Sequence, residues 1–331
     1  MEVYAVSGKG GVGKTTISSG IASALSKRDY TLIVDCDKRG RAIERTFFPE
    51  GSSLDISQRE TVFPIVEMLY GGTIPEYKFS SLLRADKKQS AKLRTIEFGK
   101  YMAQFPGDYG IAALQDMMST FFGVNTNPES ILSFITLSNI LLDTSFIENI
   151  VLDLEPTQGT SRLLNNASNT SRILRNMSQY GFATLTAISA KFPDITRFLR
   201  SDYIKNADEY GRRIEQSSKK ISEANYILVC GPEPAKVDEM LHDTEPIIES
   251  FGGRVCAYVI NDIRRNKRKN TLEERCMEDQ ISKVKKVAKE KGIPAIEVAH
   301  DSTLCINDVT NENRRIKLRI IGEQILKNLN L

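Results

Sequence analysis

The stretch SGKGGVGKTT, residues 7–16, decides how this 331-residue chain is read. It fits the phosphate-loop pattern G-x-x-x-x-G-K-[ST], with Gly8 first and Gly13, Lys14 and Thr15 closing it. Gly8, Gly10, Gly11 and Gly13, with Val12 between them, let backbone N–H groups come close to phosphate oxygens. A helix N-terminus behind them adds positive potential. Lys14 is expected to reach the β- and γ-phosphates, and the Thr15 hydroxyl to ligate Mg²⁺, with Thr16 also expected at the nucleotide. The pattern does not require Lys9. That residue is either an exposed turn lysine or a second charge for the phosphates.

The flanks support a strand–loop–helix reading. MEVYAVSG (1–8) is a near-continuous apolar run, and KTTISSGIASALSKR (14–28) has helical spacing at Ile17, Ile21, Ala24 and Leu25. Further apolar runs, at 30–37, 147–159, 182–190, 224–234, 254–262 and 293–301, alternate with helical segments. Apolar strands buried on both faces and separated by helices predict an α/β fold, a doubly wound and mostly parallel sheet. Residues 45–145 break the rhythm. Segments such as TVFPIVEMLYGG (61–72) and AKLRTIEFGKYMAQF (91–105) read as helices, and about a hundred residues exceed an ordinary crossover. One phosphate-loop domain spanning 1–331, with a helical subdomain inserted at about 48–145, is the expected organisation.

Composition narrows the class. Lys and Arg number 45 against 42 Asp and Glu, a net charge of +3, so no general nucleic-acid field is implied. The basic run RRNKRK (264–269) is read as a solvated face, with nucleic acid or acidic lipid as a secondary possibility. Cys36, Cys230, Cys256, Cys276 and Cys305 form no C-x-x-C pair, so neither a disulfide scaffold nor a zinc site is legible. No run of 18 apolar residues occurs, and residues 1–7 read as a strand rather than a leader. A cytoplasmic protein without stable membrane insertion is expected.

KGGVGKTT (9–16) resembles the loop of the deviant P-loop ATPases, among them the Min and Par partition ATPases, nitrogenase iron protein, the arsenite-pump ATPase and the tail-anchored-protein targeting ATPase. The resemblance implies ATP and Mg²⁺ as ligands and a homodimer in which Lys9 acts on the partner's nucleotide. DLEPTQGTSRLL (153–164) is similar to the D-T-A-P-T-G-H-T-x-R-L-L segment of the arsenite-pump and targeting branch, which implies that Asp153 supports Mg²⁺. VDCDKRGRAIERTF (34–47) is similar to the first switch. Asp37 falls on the water-activating aspartate, with a structural role as the alternative, and it is also assigned to the metal. Asn261 in VINDIRR matches a strand-end asparagine suited to the adenine edge. Pro232 and Glu233, expected with Asn261 at the nucleotide, match the start of a P-E-x-x-x-x-x-E segment, whose closing acidic residue stays open. With no cysteine between Cys36 and Cys230, the iron–sulfur relative is excluded.

That branch implies a chaperone or targeting ATPase whose helical subdomain opens and closes on an apolar membrane helix or another protein client. Met102, Met117, Met118, Phe121 and Phe122 are soft enough for such a groove, or for ordinary core packing. The alternative is a Min/Par-like positioning or partition ATPase that binds membrane, DNA or a scaffold protein.

Overall fold

A computed structural model describes residues 1–36, 46–47, 62–66, 68–73, 134, 137–138, 140–143, 146–165, 207–264, 272–301, 304 and 311–330. The strands are β1 (Glu2–Gly8), β2 (Thr31–Asp35), β3 (Val62–Val66), β4 (Leu69–Thr73), β5 (Asn149–Asp153), β6 (Asn225–Cys230), β7 (Arg254–Ile263) and β8 (Ala295–Ala299). They form one sheet in the order β3-β4-β2-β5-β1-β6-β7-β8. Every pairing is parallel except β3 with β4. The doubly wound α/β fold expected from the sequence is therefore present, and six of its apolar runs are strands of this sheet. The run at 182–190 and the Met- and Phe-rich segment at 101–122 lie outside the described residues.

The main helices are α1 (Lys14–Leu25), α2 (157–165), α3 (Ala207–Ser222), α4 (Pro234–Glu239), α5 (Glu245–Ser250), α6 (Leu272–Lys291) and α7 (Asn311–Asn328). A π-helical turn, Met240–Thr244, joins α4 to α5. No described helix is long and apolar enough to cross a membrane. The core joins Val6, Ile33, Val151, Val229 and Val259 of the central strands to Ile17 and Ile21 of α1 and Leu318 and Ile325 of α7. Burying such side chains yields ~1.5–3 kcal/mol each, which is why the strands read as unbroken apolar runs.

The segment 61–72 corrects the helical reading of the sequence. It forms the hairpin β3–β4 and extends the sheet beyond β2. Val62, Phe63, Ile65 and Val66 favour extended backbone. Pro64 is tolerated because β3 is the edge strand, where a missing N–H costs no ladder bond. By compactness the chain divides into one unit of Met1–Ile74, Thr144–Arg162 and Lys220–Leu331 and a second of Pro75–Asp143 and Leu163–Lys219. The sheet and the candidate site belong to the first. In the second, the described part of 134–143 is helical, and Phe134, Leu137, Ile140 and Leu141 are buried.

Candidate functional site

The site is built at the carboxyl ends of β1, β5 and β7, where open parallel sheets present their loops. β1 ends at Gly8 and feeds the loop 9–13, and α1 begins at Lys14. Gly13 is the N-cap of α1 in the left-handed region (φ 86°), and no side chain caps the helix. A Cβ on Gly13 would lie 2.2 Å from Asn261 Nδ2. The backbone there turns in a conformation that favours glycine, within a space only glycine leaves open. The first-turn N–H groups of α1 thus remain available to an anion.

Lys14 is 9% exposed, and its ammonium donates to the Lys9 carbonyl at 3.1 Å across the loop. Thr15 Oγ1 donates to Asp153 Oδ2 at 2.7 Å. β5 delivers this aspartate, which pairs in register with Asp35 of β2, and both are buried. A hydroxyl and a carboxylate brought together beside a phosphate cradle are a hard oxygen donor set, and that set fits Mg²⁺. Glycine-lined N–H groups with Lys14 fit a nucleotide's phosphates. Asp37 lies outside the described residues.

The second loop, after β5, is stitched to the first. Thr160 Oγ1 donates to the Glu155 carbonyl at 2.8 Å and stands 3.0 Å from Ser7 Oγ. Pro156 packs towards Gly10, with its Cγ 3.8 Å from where a Cβ on that glycine would be. Thr157 Oγ1 donates to Glu239 Oε1 at 2.9 Å.

Lys9 forms an ion pair with Glu239 of its own chain, Nζ to Oε2 at 2.7 Å. Burial pushes the Glu239 carboxyl up, but hydrogen bonds from Lys9 and Thr157 outweigh it, so the pKa falls below its ordinary value. The contact is therefore made at neutral pH and lost only as pH falls through that lowered value. Glu239 is the residue the sequence left unassigned. The P-E-x-x-x-x-x-E spacing from Pro232 and Glu233 ends on it. Pro232 and Glu233 themselves follow β6. Glu233 caps α4 in extended conformation and pairs with Lys236 at 2.6 Å.

Asn261 takes a role that the sequence did not suggest. Its amide Nδ2 donates to the Val12 carbonyl at 2.9 Å, so it braces the phosphate loop. The pairing of β7 with β8 shifts register between Ile260 and Ile263, where Asp262 adopts φ 63°. Asp262 contacts the His300 imidazole and pairs with Arg264 at 3.2 Å. Burial pushes its carboxyl up, and Arg264 and His300 more than offset that, so its pKa is lowered. Ile263, Arg264, Glu297, Ala299 and His300 line an open cleft of about 690 Å³ at these strand ends.

Replacing Asn261 by Ala should weaken ATP binding about fivefold, the worth of one hydrogen bond to the loop. Titration with ATP and GTP in parallel checks the role. A loop brace weakens both alike, whereas an adenine reader would lose only its preference for ATP.

Residues 3–304 match the family described as the CobQ/CobB/MinD/ParA nucleotide binding domain. No curated protein matches the chain. Among solved structures, the ATP complex of a Cyanothece McdA variant is similar in fold, with a TM-score of 0.50 and 13% identity over 100% of this chain and 97% of that one. Apo McdA from the same source gives 0.48 and 13% with the same coverage. The family match does not show the branch expected from residues 153–164. It supports a MinD/ParA-type domain and does not extend to the arsenite-pump and tail-anchored-targeting ATPases.

Proposed function

Because the chain belongs to the CobQ/CobB/MinD/ParA nucleotide-binding family, we propose that it is a positioning or partition ATPase. ATP closes two copies into a dimer, the dimer binds a cellular surface or scaffold, and hydrolysis releases it. The carrying observation is the family match over residues 3–304, together with the two-lysine loop at 9–14.

Lys14 and the loop N–H groups hold the β- and γ-phosphates. Thr15 and Asp153 hold Mg²⁺, which when bound neutralises phosphate charge. Asp37 orients the attacking water in line with the γ-phosphate. Lys9 leaves Glu239 and lends its charge to the partner's phosphates, as an arginine finger does. A chaperone for apolar helices is the second reading. It rests on the similarity of residues 153–164 to the targeting branch.

Co-sedimentation of the full chain with ATP and Mg²⁺ separates the two. Separate arms offer anionic vesicles, duplex DNA and an apolar helical peptide. ATP-dependent binding to vesicles or DNA is the expected result. ATP-dependent retention of the peptide alone would overturn it in favour of the chaperone.

A further inference from the structure

Residues five apart on an α-helix point about 140° away from each other, at 100° per residue. Glu239 and Thr244 are five apart, yet both reach one atom. Thr157 Oγ1 lies 2.9 Å from Glu239 Oε1 and 2.9 Å from Thr244 Oγ1. The π turn between them resolves this. Its hydrogen bonds join i to i+5, as in Glu245 N–H to the Met240 carbonyl, so residues five apart return to one side of the helix.

Chemistry fixes the direction of each bond. A carboxylate only accepts, so Thr157 spends its single hydroxyl proton on Glu239 and accepts one from Thr244. Lys9 Nζ donates to the other Glu239 oxygen. The resulting chain runs from Thr244 to Thr157 to Glu239, and Lys9 meets it there. Below the turn the helix is fixed: Glu245 is 3% exposed, accepts from Tyr258 Oη at 2.6 Å and pairs with Lys291 at 2.8 Å.

We infer that the π turn is a coupling element and Thr157 a positioning residue. The turn makes one helix grip both phosphate-side loops, so Lys9 and the segment 155–160 leave that grip together. An α-helical turn here would carry Glu239 away from Thr157 and Lys9 while the anchored end stayed in place. The purpose of the coupling rests on the proposed ATPase reading, since it would tie release of Lys9 to movement of the second loop. Its test does not depend on that reading.

Amide hydrogen exchange on the full chain without nucleotide reads it. Thr157→Val should speed exchange about fivefold in both 155–160 and 8–13, the worth of one hydrogen bond. Thr157→Ser, which keeps the hydroxyl, should match wild type. Lys9→Ala should loosen 155–160 in return, because coupling is reciprocal. Deleting the exposed His242 should remove the π turn and loosen both segments. The inference fails if Thr157→Val loosens only its own loop, if Ser and Val behave alike, or if the deletion changes neither segment. Should the deletion variant not fold, the two Thr157 variants and Lys9→Ala decide. Lack of ATP turnover in wild type would sink the functional reading and leave this result standing.

Discussion

Lys9→Ala should cut ATP turnover on the order of a hundredfold or more while nucleotide affinity stays within a fewfold of wild type. The asymmetry follows from where the charge is. Lys14 spans the loop of its own chain and is buried there, so binding within one copy does not need Lys9. Lys9 is held outside that cradle by Glu239, with 41% of its side chain exposed, and the loop at 8–13 can present it to a second copy once Glu239 lets go. Interactions made only in the transition state lower turnover and leave ground-state binding alone. Steady-state turnover across a range of protein concentrations, with a separate nucleotide titration, measures both quantities. Equal loss of affinity and turnover would place Lys9 in its own copy's site. Unchanged turnover would remove it from the reaction.

Gly322→Ala should destabilise the chain by ~1–3 kcal/mol, as overpacking does. α7 crosses α1 at two glycines, with Gly20 and Gly322 in backbone contact. A Cβ on Gly322 would lie 2.0 Å from the Gly20 carbonyl oxygen and 2.9 Å from Ala24 Cβ. Backbone oxygens cannot rotate aside as a flexible side chain does, so the helices must separate. Alanine's helix propensity returns about 1 kcal/mol at most, and the clash exceeds it. Against a total stability of ~5–15 kcal/mol the loss is large. Thermal unfolding should show a midpoint lower by several degrees. ATP affinity should fall too, because α1 carries Lys14 and Thr15 at its start. A midpoint equal to wild type would mean that the two helices have slack at this crossing.

Much of the sheet is legible in the sequence because its strands are buried on both faces. Buried strands read as apolar runs; β1, β2, β5, β6 and the half-buried β8 fall inside the expected segments, and β7 overruns its own by one residue, Ile263. The hairpin β3–β4 was not legible as strands. At 61–72, Pro64 and the Gly71–Gly72 pair break the period-2 signal, and the edge position of β3 makes Pro64 acceptable. At the site, the phosphate loop and Asp153 could be read because the chemistry demands those residue types at fixed spacing. Glu239 could be reached only as the end of the P-E-x-x-x-x-x-E spacing, and the meeting of Glu239 and Thr244 on Thr157 could not be read, since the π turn shifts Thr244 out of the phase that 3.6 residues per turn implies. Asn261 was visible as a strand-end amide. Its bond to the Val12 carbonyl, next to a register shift and the positive φ of Asp262, follows from the fold and not from spacing.

One feature of the sheet also governs how the molecule comes into being. β5 lies between β1 and β2, yet it is made only after residues 36–148 have emerged. Until then the two earliest strands have an empty slot between them, and their pairing partners are remote in sequence, a topology that slows folding. During synthesis at about 5–20 residues per second that slot stays open for roughly 6 to 20 seconds or more. Asp153 arrives on the strand that fills it, so its hydrogen bond with Thr15, the pair proposed to hold Mg²⁺, cannot exist in a nascent chain that has stopped short. On the proposed reading, competence to hold magnesium nucleotide is thus a certificate that the centre of the sheet has closed.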